Sequence, residues 1–101
     1  MYTVYVLPQA LHEVKRLPGH VRQRVKRIID SFAENPRPSG SVELSDIAIA
    51  KHSVILHRFK IEKWRIIYAI DEEASAVDVM AIRQRPPYDY GDLSELIQVI
   101  Q

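Results

Sequence analysis

Cysteine is absent from the 101 residues, which excludes disulfides, thiol catalysis and cysteine-based zinc sites. The absence agrees with a reducing compartment. No apolar run reaches membrane length, and Tyr2 to Leu7 is too short, and lacks the basic lead, for a signal-peptide core. A cytoplasmic protein with no membrane association is therefore the expectation. Repeats, low-complexity tracts and interdomain linkers are also missing, so the chain reads as one domain over residues 1–101. The four histidines (His12, His20, His52, His57) show no metal-ligand spacing, and no acidic pair has catalytic spacing. Neither a metal nor a cofactor is expected.

What is present is ordinary in amount and uneven in place. Apolar residues make up 47% and charged residues 27%, as in a globular protein. Net charge is only +1, yet residues 1–65 hold twelve Lys/Arg against six Asp/Glu, and residues 66–101 hold two against seven. A basic face large enough for a phosphate backbone can hide behind that total.

The richest stretch is Leu56 to Ile70, LHRFKIEKWRIIYAI. β-Branched and aromatic residues flank a polar Glu62-Lys63 turn, the pattern of a β-hairpin. A symmetric turn sets Ile61 opposite Trp64, Lys60 opposite Arg65, Phe59 opposite Ile66 and Arg58 opposite Ile67. Because side chains alternate along a strand, Arg58, Lys60 and Arg65 emerge on one side. Like charges directly opposite destabilise a sheet, so the cluster points to a site for something negative. Arg65 is expected to work on a phosphate rather than in the core. On the other face Trp64, Ile66 and Tyr68 are expected to pack, and His57 shares its face with Ile55, Phe59 and Ile61, which suits a core histidine.

The rest of the chain gives a coarse order. Tyr2 to Leu7 reads as a strand ending at Pro8. Leu11, Val14 and Leu17 mark a helix over 9–17, which Pro18-Gly19 ends. Val21, Val25, Ile28, Ile29 and Phe32 form an amphipathic helix whose outer face carries Arg22, Arg24, Lys26 and Arg27. Arg37 to Lys51 reads as a connector. Asp71 to Ser75 makes a turn, Val77 to Ile82 a further strand, and Arg83 to Tyr90 an irregular exit. Asp92 caps a last helix with Leu93, Leu96, Ile97 and Ile100 on one face. The expected fold is α+β: a small antiparallel sheet of about four strands, two N-terminal helices on one face and a short C-terminal helix.

Strand, helix, helix and antiparallel strands, with R-x-K-x4-W-R-I-I-Y from Arg58 to Tyr68 and a late R-x-R-P-P-Y-D-Y segment, resemble the RelE/ParE superfamily of toxin–antitoxin toxins. The resemblance covers nearly the whole chain. It implies a metal-independent endoribonuclease that cuts messenger RNA in the ribosomal A site and stops translation. It also implies a cognate antitoxin as partner in a hetero-oligomer. Carried over position by position, Arg58 and Lys60 resemble the family's basic strand and Arg65 its central arginine. Arg83 or Arg85 resembles the late arginine, and Tyr88 or Tyr90 the tyrosine near the C-terminus. Leu56 departs from the pattern, standing where RelE has a further lysine, and Glu62-Lys63 stands where many members have glycine. ParE-type relatives keep the fold, act on DNA gyrase and cleave nothing, and are the alternative.

Such chemistry asks for an aligned 2′-hydroxyl, stabilisation of developing charge on the phosphate, and proton transfer. Fixed cations supply the second. Arginine suits it because its planar fork holds two oxygens and stays charged. A tyrosine can stack on an unpaired base or move a proton.

Overall fold

A computed structural model describes residues 1–44 and 54–84. The last helix expected from Asp92, together with Arg85, Tyr88, Tyr90 and His52, lies outside the described residues.

Strand β1 (Thr3–Val6) leads directly into α1 (Pro8–Lys15), with Pro8 in the first turn. Pro8 therefore opens the helix; its missing N–H costs nothing where the N–H groups have no intrahelical acceptor. Helix α2 (Gly19–Ser31) follows across the Pro18 break. Its apolar stripe buries Val21, Val25 and Ile29, with Phe32 just past the end. Four strands complete the order: β2 (Ser41–Glu43), β3 (Val54–Ile61), β4 (Trp64–Asp71) and β5 (Ala76–Gln84).

The five strands form one sheet in the order β1-β5-β4-β3-β2. The sheet differs from the expected antiparallel, four-stranded one in two ways. Strand β1 runs parallel to β5, with Thr3 beside Ala76 and Val6 beside Val79. The connector holds β2, paired antiparallel with β3 from Ser41–Phe59 to Glu43–His57. A tight turn feeds β2, the Ser41 N–H donating to the Pro38 carbonyl at 3.0 Å while Gly40 sits at φ +99. That left-handed third residue is the reason for glycine there.

Each sheet face has its own core. One face packs under α1 and α2, joining Ala10, Val14, Val25 and Phe32 to Ile66, Tyr68, Ile70, Val77 and Val79. Tyr68 is fully buried there, its ring stacked on Phe32 with centroids 4.2 Å apart and its hydroxyl donating to the Pro36 carbonyl at 2.7 Å. The opposite face carries a second cluster of Leu44, Val54, Leu56, Ile67, Ala69, Met80 and Ala81. Strands β4 and β5 are thus buried on both sides, as central strands of a covered sheet are. No helix among the described residues is long and apolar enough to cross a membrane.

Candidate functional site

The β3–β4 hairpin has the register its symmetric turn demands. Ile61 faces Trp64, Lys60 faces Arg65, Phe59 faces Ile66 and Arg58 faces Ile67. The two-residue turn puts Glu62 at φ 54, a left-handed conformation usually given to glycine or asparagine. Glu62 is held from α2, accepting from Arg24 Nη1 at 3.0 Å, with His20 Nε2 at 3.7 Å.

Strand β5 extends the pattern. It runs on to Gln84, so Arg83 belongs to a strand and not to an irregular exit. Arg83 pairs directly with Arg65. Lys60, Arg65 and Arg83 therefore form one row across three neighbouring strands, on the face opposite the helices. Arg58 lies one pleat away on the same face. The face is divided: apolar residues from Leu56 to Met80 fill one end and cations the other.

The four cations differ in access. Lys60 is exposed, Arg58 and Arg83 are half-buried, and Arg65 exposes only 1% of its surface. The expectation that Arg65 stands outside the core is thus corrected. As the middle strand's residue in the row it has a cation on either side and is enclosed. Among the described residues no carboxylate lies within ion-pair distance of Arg58 or Lys60.

Glu13 holds the far end of the row. Strand β1 stops at Val6, and α1 crosses beside the upper part of β5 where another strand residue would otherwise pair. Glu13 fills the gap: its Oε1 accepts the Ile82 N–H at 2.8 Å, and its Oε2 lies 3.7 Å from Arg83 Nε. Gln9 Nε2 donates to Glu13 Oε2 at 3.2 Å, fixing the carboxylate further. Sequence reasoning missed Glu13, because a single acid on an amphipathic helix looks solvated. Only the spatial neighbour of Arg83 reveals it.

Tyr68 and His57 are core residues, as expected, and their surroundings hold both rings neutral. Burial pushes the Tyr68 phenol up to about 12, partly opposed by a hydrogen bond with Ser41 and the charge of Arg37. Burial, and then the Arg37 charge, lowers the His57 pKa and keeps the ring neutral. His57 is 6% exposed and stacked beside Tyr68 at 5.7 Å, as a core residue. Leu56, at the position where RelE has lysine, is fully buried in the apolar end of the face.

The whole arrangement of strands and helices matches solved toxins. It superposes on the RelE–RelB complex of Pyrococcus horikoshii with a TM-score of 0.73 at 18% identity, over 86% of this chain and 98% of that one. The chain has the RelE toxin fold. The isolated RelE toxin of Escherichia coli matches over 100% of both chains with a TM-score of 0.62 and 19% identity. In the RelBE2 complex of Mycobacterium tuberculosis the TM-score is 0.63 at 17% identity, over 83% of this chain and 98% of that one. No protein-family model and no curated protein sequence matches. On this RelE fold, Arg58, Lys60, Arg65 and Arg83 share one face, whereas the second late arginine and both late tyrosines lie outside the described residues.

Proposed function

We propose that this chain is a RelE-type toxin of a toxin–antitoxin pair. In this reading it is an endoribonuclease that needs no metal and cuts messenger RNA at the ribosomal A site. The single observation behind the reading is the row Lys60-Arg65-Arg83 with Arg58 beside it. Among the described residues Arg58 and Lys60 have no carboxylate within ion-pair distance, and a polyanion is the ligand that supplies the missing charge at that end of the row. Cleavage forms a bond from the 2′-oxygen to phosphorus and breaks the bond from phosphorus to the 5′-oxygen. The 2′-hydroxyl proton passes to a base, and the leaving oxygen takes up another. The phosphate gains negative charge on the way, and guanidinium forks are suited to stabilise it. Lys60 and Arg58 meet the strand first. Arg65 engages only in a conformation that opens it to the phosphate. Arg83, Arg85, Tyr88 and Tyr90 complete the proposed catalytic set, with a tyrosine to stack on a base or carry a proton.

Solved relatives in complex with RelB support a cognate antitoxin as partner here, in a hetero-oligomer. Acidic or apolar antitoxin segments laid over the cations would silence the site. The burial of Leu56 and Arg65 favours one second reading, a ParE-type inhibitor that binds gyrase and cleaves nothing. Inducing the protein in cells separates the two. The nuclease stops translation and leaves cuts within messages, and Arg58→Gln with Lys60→Gln abolishes both effects. Stalled replication with intact messages would select the gyrase inhibitor.

A further inference from the structure

Lys60 belongs to the cationic row and also lines a cleft at the edge of the sheet. Strand β2 pairs with β3 only from His57 to Phe59, so no described strand flanks Lys60 and Ile61 on that edge. Around this edge lies a cleft of about 230 Å³ between β3 and α2, lined by Arg24, Arg27, Ile28, Phe59, Lys60 and Ile61. Its volume equals that of roughly seven or eight waters at ~30 Å³ each, enough for a phosphate and part of a ring. Arg24 is shared with Glu62, while among the described residues Arg27 has no carboxylate within ion-pair distance. Between the cations the floor is apolar, and Phe59 is only partly covered.

We propose that this cleft is a subsite for single-stranded RNA, continuing the path of the strand that lies on the Lys60-Arg65-Arg83 row. One phosphate sits between Arg27 and Lys60, and the attached base rests against Phe59. The inference rests on the nuclease reading and adds to it where the strand goes after leaving the row. Cations tracking the backbone beside an aromatic ring are how proteins hold unpaired RNA without reading its sequence. An acidic protein segment would also meet the cations. The apolar floor between them and the continuity through Lys60 favour RNA.

The test is binding of a fluorescent 2′-O-methyl oligoribonucleotide, which cannot be cleaved, followed by anisotropy over a range of salt. Each phosphate contact contributes about −0.7 to the slope of log affinity against log salt for a single strand. Arg27→Gln should flatten the slope by about 0.7 and weaken binding at low salt. Phe59→Leu should weaken binding roughly fivefold or more with the slope unchanged. Should Phe59→Leu not fold, the Arg27→Gln slope decides alone. If Arg27→Gln binds with the wild-type slope while Lys60→Gln weakens binding, the cleft is not a subsite and the nuclease reading survives. If the wild type does not bind the oligonucleotide, or Lys60→Gln has no effect either, both fall. A polyglutamate peptide that binds more tightly than the RNA and depends on Arg27 would overturn the RNA assignment.

Discussion

Replacing Lys60 with glutamine should make the protein more stable and less active at once. Lys60 is exposed and opposite Arg65, whose far side faces Arg83. Directly opposed side chains have Cβ atoms about 5 Å apart, and their charged tips can spread somewhat further. Unit charges ~7 Å apart repel by about 2.4 kcal/mol at an effective dielectric of 20 and about 0.6 kcal/mol in water. Because Lys60 is in solvent, the relief should lie near the lower figure, about 0.5–1 kcal/mol. For a domain of this size that raises the melting temperature by roughly 2–8 °C. At 1 M salt the Debye length falls to about 3 Å, so most of the gain should vanish. Loss of one fixed donor to the developing phosphate charge should reduce RNA cleavage about 10²–10³-fold. The measurements are thermal melts at low and high salt, with a cleavage assay on translating ribosomes. A Lys60→Gln protein that melts no higher than wild type at low salt would refute the claim that the row is strained by repulsion. Full cleavage by that variant would refute the site.

Glu13→Ala should cost about 1–3 kcal/mol in urea unfolding because the Ile82 N–H loses its acceptor. Glu13→Gln, whose amide oxygen can still accept, should recover most of that loss, and equal losses would argue against the edge-cap role. Tyr68→Phe should cost about 1–2 kcal/mol by leaving the Pro36 carbonyl unpartnered in a buried place, read as a lower urea midpoint. His57 stays neutral in the fold, while the unfolded chain takes up a proton below its ordinary pKa of about 6.5. The unfolded state then binds more protons, so stability should fall as pH drops below about 6.5. His57→Phe should flatten that limb of a pH series of urea midpoints, and an unchanged slope would exclude His57 as its source. Ser75→Gly should raise stability by up to about 1 kcal/mol, since Ser75 sits at φ 50 in the β4–β5 turn.

The hairpin was legible residue by residue because its information is local. A two-residue turn sets the register, and strict alternation assigns each side chain to a face, so the opposition of Lys60 and Arg65 follows from spacing alone. The helices were legible for a similar reason, the stripe from Val21 to Phe32 having one period. What escaped depends on partners distant in sequence. Strand β2 is three residues long with no apolar alternation, and it exists because the open edge of β3 pairs with it. The parallel docking of Thr3–Val6 on Ala76–Val79 has no signal in either segment. Arg83 and Gln84, ahead of two prolines, carry none of the β-branched character of a strand. They join one because β4 offers a ladder as far as Trp64. The burial of Arg65 was hidden for the opposite reason: charge argues for solvent, and only its place on the middle strand overrides that.

Taken together, Glu13 and Lys60 give the row two unlike ends. At the β5 end the last cation is tied into the fold, because the carboxylate beside Arg83 also closes the sheet edge that β1 leaves open. At the β3 end Lys60 has neither such an anchor nor a covering strand among the described residues. Arg65 lies between them on the most constrained strand of the sheet. Accessibility falls from Lys60 to Arg65 and rises again in part at Arg83. In the proposed site a phosphate arriving from solvent would meet exposed Lys60 before enclosed Arg65. That order suits a site in which an exposed lysine captures the strand and the enclosed guanidinium is opened to it afterwards. It also explains why repulsion in the row is tolerated. Relieving it at the Arg83 end would remove the partner of the Glu13 carboxylate, and relieving it at the Lys60 end would remove the most exposed charge of the proposed site.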